Sequence, residues 1–142
     1  MRLTPHFELN ELIYSSTAEK LGIANTPTAK VIRNLSTLCQ TVLEPLRVAY
    51  GKPIYITSGY RGKALNVAVG GARNSDHLHG CAADITTRTK DGNKALWNII
   101  IKKANAGELH ARQIIDESNL AWIHISINAM QNSVKHNQIL QL

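Results

Sequence analysis

The spacing of apolar and polar positions changes period along the chain and divides it into a helical first half and a strand-rich second half. The clearest helical stretch is TAKVIRNLSTLCQTVLEPLRVAYG. Its apolar residues Val31, Ile32, Leu35, Leu38, Cys39, Val42, Leu43 and Leu46 recur at three- and four-residue intervals and make one continuous face. Thr26 and Pro27 read as its cap and first helical residue, Pro45 predicts a bend near its end, and Gly51 closes it. Upstream, FELNELIYSSTAEKLGIANTP predicts two short helical turns. Asn10 is the candidate cap of the first, Ser16 with Glu19 makes a capping box for the second, and Gly22 ends it.

After Gly51 the period shortens to two. KPIYITSGYR, GCAADITT, RQIID and AWIHISI each predict a short strand, the last two joined by the turn ESNL, and the tail KHNQILQL predicts an edge strand. GKALNVAVGGARNSDH reads as a helical turn running into a glycine-rich loop. Asp91 and Asn93 are candidate caps for a helix carrying Ala95, Leu96, Ile99, Ile100 and Ala104. Helices first and strands later, with hairpin-length connections, imply an α+β fold: N-terminal helices packed on one face of an antiparallel sheet of about four to five short strands. With no repeat or linker, the 142 residues are expected to form one domain, 1–142.

Composition narrows the class. An apolar content of 44% with 18% charged residues is that of a soluble globular chain, and no apolar run reaches the length of a membrane span. The start, MRLTPHFELNEL, lacks the apolar core and cleavage site of a signal peptide, so the chain is expected to be cytoplasmic as synthesised. A net charge of +6 suits an anionic partner such as nucleic acid, an acidic membrane or a bacterial wall polymer. The basic residues are scattered and only 5% of residues are aromatic, too few to suggest a stacking platform, so no nucleic-acid partner is expected. Cys39 and Cys81 have no CxxC partner and read as buried reduced thiols; the sharper reading of Cys81 is a metal-bound thiolate.

The chemistry concentrates in SDHLHGCAADI and AWIHIS. Alternation in the second puts Trp122, His124 and Ser126 on one face and Ile123, Ile125 and Ile127 on the other, towards the core. In the strand after Gly80, Ala82 and Asp84 share a face. If the two strands are neighbours, Asp84 and His124 converge above the small Ala82, and His77 can fold back over the glycine turn. Two imidazoles and a carboxylate form the three-ligand set of a catalytic zinc, which leaves a fourth position for water. The plainer reading is a loop histidine, a strand-end aspartate and a half-buried histidine. Both stand on spacing alone.

SDHLHGCAAD also fits the pattern Ser-x-His-x-x-Gly-x-Ala-x-Asp, and AWIHIS contains Trp-x-His. In these motifs, and in SGYR, LNVAVGGARNSDH, VLEPLR and the N-terminal HFELNEL, all in the same order, the chain resembles the bacterial zinc D-alanyl-D-alanine carboxypeptidases and L-alanyl-D-glutamate endolysins. It is most similar to their short, signal-less phage or mobile-element branch. The resemblance implies a Hedgehog-like/DD-peptidase fold, one Zn2+ per chain, and hydrolysis of peptide bonds in peptidoglycan stem peptides, with a lysis-type route to the wall. It implies His77, Asp84 and His124 as zinc ligands and Arg61 as the cation that binds the substrate and stabilises its oxyanion. Ser75 matches a position near the substrate, although capping its loop explains it equally well. Trp122 lines the pocket or packs beside the metal. His79 falls at no ligand position and is expected at the periphery with Asp76. Many such enzymes carry an acid three residues before the last histidine; here that residue is Ala121. The nearest acids upstream, in QIIDESNLAWIHIS, are Asp116 and Glu117, and the resemblance to the signal-less branch implies Glu117 as the candidate general base. A zinc-stabilised binding module for wall or protein, with weak or no catalysis, is the alternative.

Overall fold

A computed structural model describes residues 1–128 and 138–141. The chain opens with a small hairpin that the apolar pattern does not announce, β1 (Arg2–Thr4) against β2 (Phe7–Glu8). Three helices follow: α1 (Leu9–Ile13), α2 (Ser16–Leu21) and α3 (Ala29–Leu38). Their caps differ from those expected by one or two residues. Glu8 forms a capping box with Glu11 ahead of α1, in place of Asn10. The Ser15 hydroxyl, not Ser16, accepts from Ala18 N, and Thr28, not Thr26, accepts from Val31 N. Each side chain used sits where an extended residue can turn its oxygen onto the first free N–H groups.

The long apolar face is real but the helix is not uniform. A π-helical turn, Cys39–Leu43, joins α3 to α4 (Glu44–Tyr50), and Glu44 N–H reaches back five residues to Cys39 O. Pro45 supplies the reason: it has no N–H to give to the preceding turn, and its ring needs room there. Gly51 closes α4 in the left-handed conformation. Leu35, Leu38, Cys39, Val42, Leu43 and Leu46 are all fully buried.

The remaining elements are β3 (Tyr55–Ser58), α5 (Lys63–Ala68), a 3-10 turn at Asp76–His79, β4 (Ala82–Thr86), α6 (Lys90–Asn105), β5 (Gln113–Glu117), β6 (Trp122–Ser126) and β7 (Gln138–Gln141). Sheet order is β3-β4-β6-β5-β7, so the fold is α+β with a five-stranded sheet. Its pairs are antiparallel except β5 with β7, which is parallel. Of the expected C-terminal strand, residues 135–137 and 142 lie outside the described residues. α6 is capped by Thr89, which accepts from Gly92 N; Asp91 and Asn93, the expected caps, lie inside the helix, and Asn93 is buried.

Register divides the sheet into two faces. Ala83 opposes Ile125, Ile85 opposes Ile123 and Ile114 opposes Ile125, and these residues are fully buried in the core with α3, α4 and α6. Burying one such isoleucine is worth about 1.5–3 kcal/mol, which pins the register because a one-residue slip would put the whole set in water. The opposite face carries Ala82, Asp84, His124, Ser126, Ile115 and Glu117. Among the described residues, no helix is long and apolar enough to cross a membrane.

Candidate metal centre and its cleft

The two central strands pair Asp84 directly opposite His124, on the face away from the core. His77 comes from the 3-10 turn before β4. Ser75 caps that turn by accepting from His77 N at 3.1 Å, and Gly80 ends it in the left-handed conformation, φ 71°. A Cβ at Gly80 would press on Val31 O at 2.8 Å and on Leu35, so the turn lies too close to α3 for any side chain there.

His77 is then fastened from two sides. Its Nδ1 is 2.6 Å from Gly59 O, and its own carbonyl accepts from Arg61 N at 3.0 Å. The first contact requires the proton on Nδ1 and leaves the Nε2 lone pair free. That nitrogen lies 3.3 Å from Asp84 Oδ1, while His124 Nδ1 lies 3.0 Å from the same oxygen. The rings of His77 and His124 meet edge to face with centroids 5.2 Å apart.

All three donor atoms lie within 4.8 Å of one another. A tetrahedral ion with bonds of about 2.0–2.1 Å spaces its ligands about 3.3 Å apart, so the donor set and its spacing fit zinc. Burial raises the Asp84 carboxyl, but the imidazoles of His124 and His77 beside it outweigh this and hold the group well below the usual carboxylate range, ionised as a ligand must be. Cys81 is no fourth ligand: its side chain lies in the core, its Sγ contacts His79 O at 3.7 Å, and burial pushes its thiol up to about 11.

The cluster lines a cleft of about 340 Å³ whose walls also include Arg61, Ser75, Glu117 and Trp122. Arg61 is half-buried; among the described residues its only hydrogen-bonding side-chain neighbour is Ser75 Oγ at 3.4 Å, and its buried Nε has no partner. Burial lowers its pKa, against the pull of Asp84. A desolvated guanidinium facing a cleft can take up an anionic oxygen. Ser75 caps its turn, and its hydroxyl also touches Arg61.

Register separates the two acids of the hairpin. Glu117 opposes Trp122 on the metal-facing side. Asp116 is turned the other way, and its carboxylate accepts from Leu120 N at 2.6 Å. Ala121 is an exposed turn residue outside the cleft.

His79 is exposed, as expected, and its carbonyl accepts from Asn34 Nδ2 at 2.8 Å. Asp76 is less peripheral than expected: it lines the cleft and pairs with Arg112 at 2.7 Å. Sequence reasoning missed Arg112, and also the carbonyl of Gly59, although Gly59 lies inside the SGYR motif.

A family model described as Peptidase M15 matches residues 5–126, a span that contains the whole cluster and every cleft residue named above. No curated protein matches the chain.

Proposed function

The chain belongs to the peptidase M15 family, whose members are zinc-dependent, and from that premise we propose that it hydrolyses peptide bonds in peptidoglycan stem peptides, as a D,D-carboxypeptidase or endopeptidase of the endolysin type. The observation that carries this reading is the convergence of His77, Asp84 and His124 with Arg61 and Glu117 in one cleft. His77 through Nε2, Asp84 through Oδ1 and His124 through Nδ1 are the ligands. A zinc ion held there lowers the pKa of a bound water and polarises a carbonyl.

The chain's own residues supply the rest. The Glu117 carboxylate accepts the proton of the attacking water and returns it to the departing amine. Arg61 donates to the carbonyl oxygen as negative charge develops on it; among the described residues it pairs with nothing stronger than the Ser75 hydroxyl, which leaves that capacity free. Trp122, opposite Glu117 across the hairpin, closes one side of the cleft and limits water around the carboxylate. The positive net charge of +6 favours residence on an anionic wall.

The second reading, a zinc-stabilised binding module, draws on Ala121, which leaves no acid three residues before His124. Release of amino groups from purified wall fragments by zinc-loaded protein separates the two. The peptidase reading expects release that a chelator abolishes and added zinc restores. No release from any wall preparation would favour the binding module.

A further inference from the structure

Adjoining the cleft is a second hollow, of about 270 Å³, which shares Arg61 with it. It lies at the free edge of the sheet, since β3 is the edge strand, and Ser58 on β3 sits directly opposite Asp84 in the register. Cleft and hollow therefore form one track across the sheet, from Glu117 on β5 past His124 and Asp84 to β3 and the start of α2.

The two ends of this track differ in chemistry. The cleft end holds Asp76, Asp84, Glu117 and Arg112, which suit a charged peptide. Among the described residues the hollow is lined by no carboxylate, and Arg61 is its sole charged residue. Hydroxyl groups dominate its wall: Tyr14, Ser16, Thr17, Ser58 and Tyr60. None of these hydroxyls is hydrogen-bonded among the described residues, whereas the remaining two, Ser15 and Thr57, are used by Ala18 N and Asp84 O. Tyr14 is 61% exposed, with its ring available at the rim. Free hydroxyls around a ring-sized hollow, with an aromatic face beside it, match a neutral ligand rich in hydroxyl and amide groups. The volume is near the roughly 300 Å³ lower bound of small-molecule sites, which suits a single ring rather than a long chain.

We propose that this hollow is a sugar subsite that binds the N-acetylated amino sugar of the glycan strand while the attached stem peptide lies across the metal cluster. The proposal rests on the peptidoglycan reading and deepens it: a substrate with a neutral glycan end and a charged peptide end matches both halves of the track.

The test is a nuclear magnetic resonance titration of the zinc-loaded full chain with chitotetraose, a neutral N-acetylglucosamine oligomer, followed at the backbone amides of Tyr14, Ser16, Thr17 and Ser58. Saturable shifts confined to this hollow are expected, with affinity weakened roughly 3- to 10-fold in Tyr14→Ala. Thr17→Val, which keeps the shape and removes a hydroxyl, is expected to weaken it as well. No shift up to about 10 mM ligand, or shifts elsewhere that neither variant changes, would overturn the subsite. Hydrolysis of free stem peptide is measured in parallel and judges the peptidase reading alone, so either idea can fail without the other.

Discussion

The carbonyl oxygen of Gly59 lies 2.6 Å from Nδ1 of His77, and this contact between a strand end and a 3-10 turn decides which nitrogen of His77 faces Asp84. Gly59 is also where α1 approaches the end of β3. A Cβ there would overlap the backbone of Leu12, whose carbonyl accepts from Tyr60 N at 2.6 Å. Gly59→Ala is therefore expected to push the strand end away from His77 and weaken zinc binding about 10- to 100-fold, measured by competition with a chromophoric chelator. Unchanged affinity would mean that His77 keeps its orientation without this acceptor.

For the ligands themselves, purified protein is expected to carry one zinc per chain, and His77→Ala or Asp84→Ala to lose it, by elemental analysis. Full occupancy in both variants would remove these residues from the metal set.

Glu117→Gln keeps the shape of the side chain and removes its basicity. The expected outcome is unaltered zinc content with turnover lower by about 10²- to 10⁴-fold. Asp116→Asn should leave zinc content unaltered as well and cost mainly stability, because Asp116 faces away from the cleft and secures Leu120 N. Equal turnover in Glu117→Gln and the wild type would exclude Glu117 as base.

Buried Asn93 holds the hairpin that carries Glu117 and Trp122. Its amide donates to Leu120 O at 2.8 Å and Ala121 O at 3.2 Å, and its carbonyl accepts from Thr87 N at 2.7 Å. The turn it secures has Ser118, Asn119 and Leu120 all in the left-handed region, at φ 52°, 56° and 62°. Non-glycine residues resist that conformation, so the turn depends on these bonds. Asn93→Ala is expected to destabilise the protein by about 2–3 kcal/mol, seen as a lower urea midpoint. A midpoint shift worth less than about 0.5 kcal/mol would show that the turn holds itself.

Glu44 governs part of the acid response. Burial raises its carboxyl, but hydrogen bonds from the His6 side chain and backbone, at 2.6 and 2.9 Å, outweigh this and lower it below its ordinary 4.5. A carboxylate whose pKa is lowered by folding contributes stability that is present above the unfolded value. That contribution is lost as pH falls through the folded value. Below about pH 4.5 the wild type should lose roughly 1 kcal/mol that Glu44→Gln never has, so their urea midpoints should converge on acidification. A constant gap between them would rule this linkage out.

Much of the fold follows from period alone. The isoleucines of AWIHISI could bury themselves only on one face, which sent His124 to the other, and the eight apolar positions from Val31 to Leu46 could form only one helical stripe. These are local consequences of side-chain geometry, so they are legible before any contact is known. Cap positions were less so, because neighbouring Ser, Thr and Asn residues compete for the same N–H groups and packing chooses among them. Asn93 shows this: its type suits a cap, yet burial beside the hairpin made it a clamp.

What tertiary structure alone decided was proximity. The pairing of β4 with β6 set Asp84 opposite His124, forty residues later in the chain. The approach of α1 to Gly59 brought a carbonyl to His77, and register turned Glu117 rather than Asp116 towards the cleft. The run of hydroxyls at the sheet edge is scattered from Tyr14 to Tyr60 in the sequence and becomes a surface only once β3 lies beside α2. Backbone acceptors and surfaces assembled from distant segments leave no mark on residue type or spacing, because the energy that places them comes from packing elsewhere in the molecule.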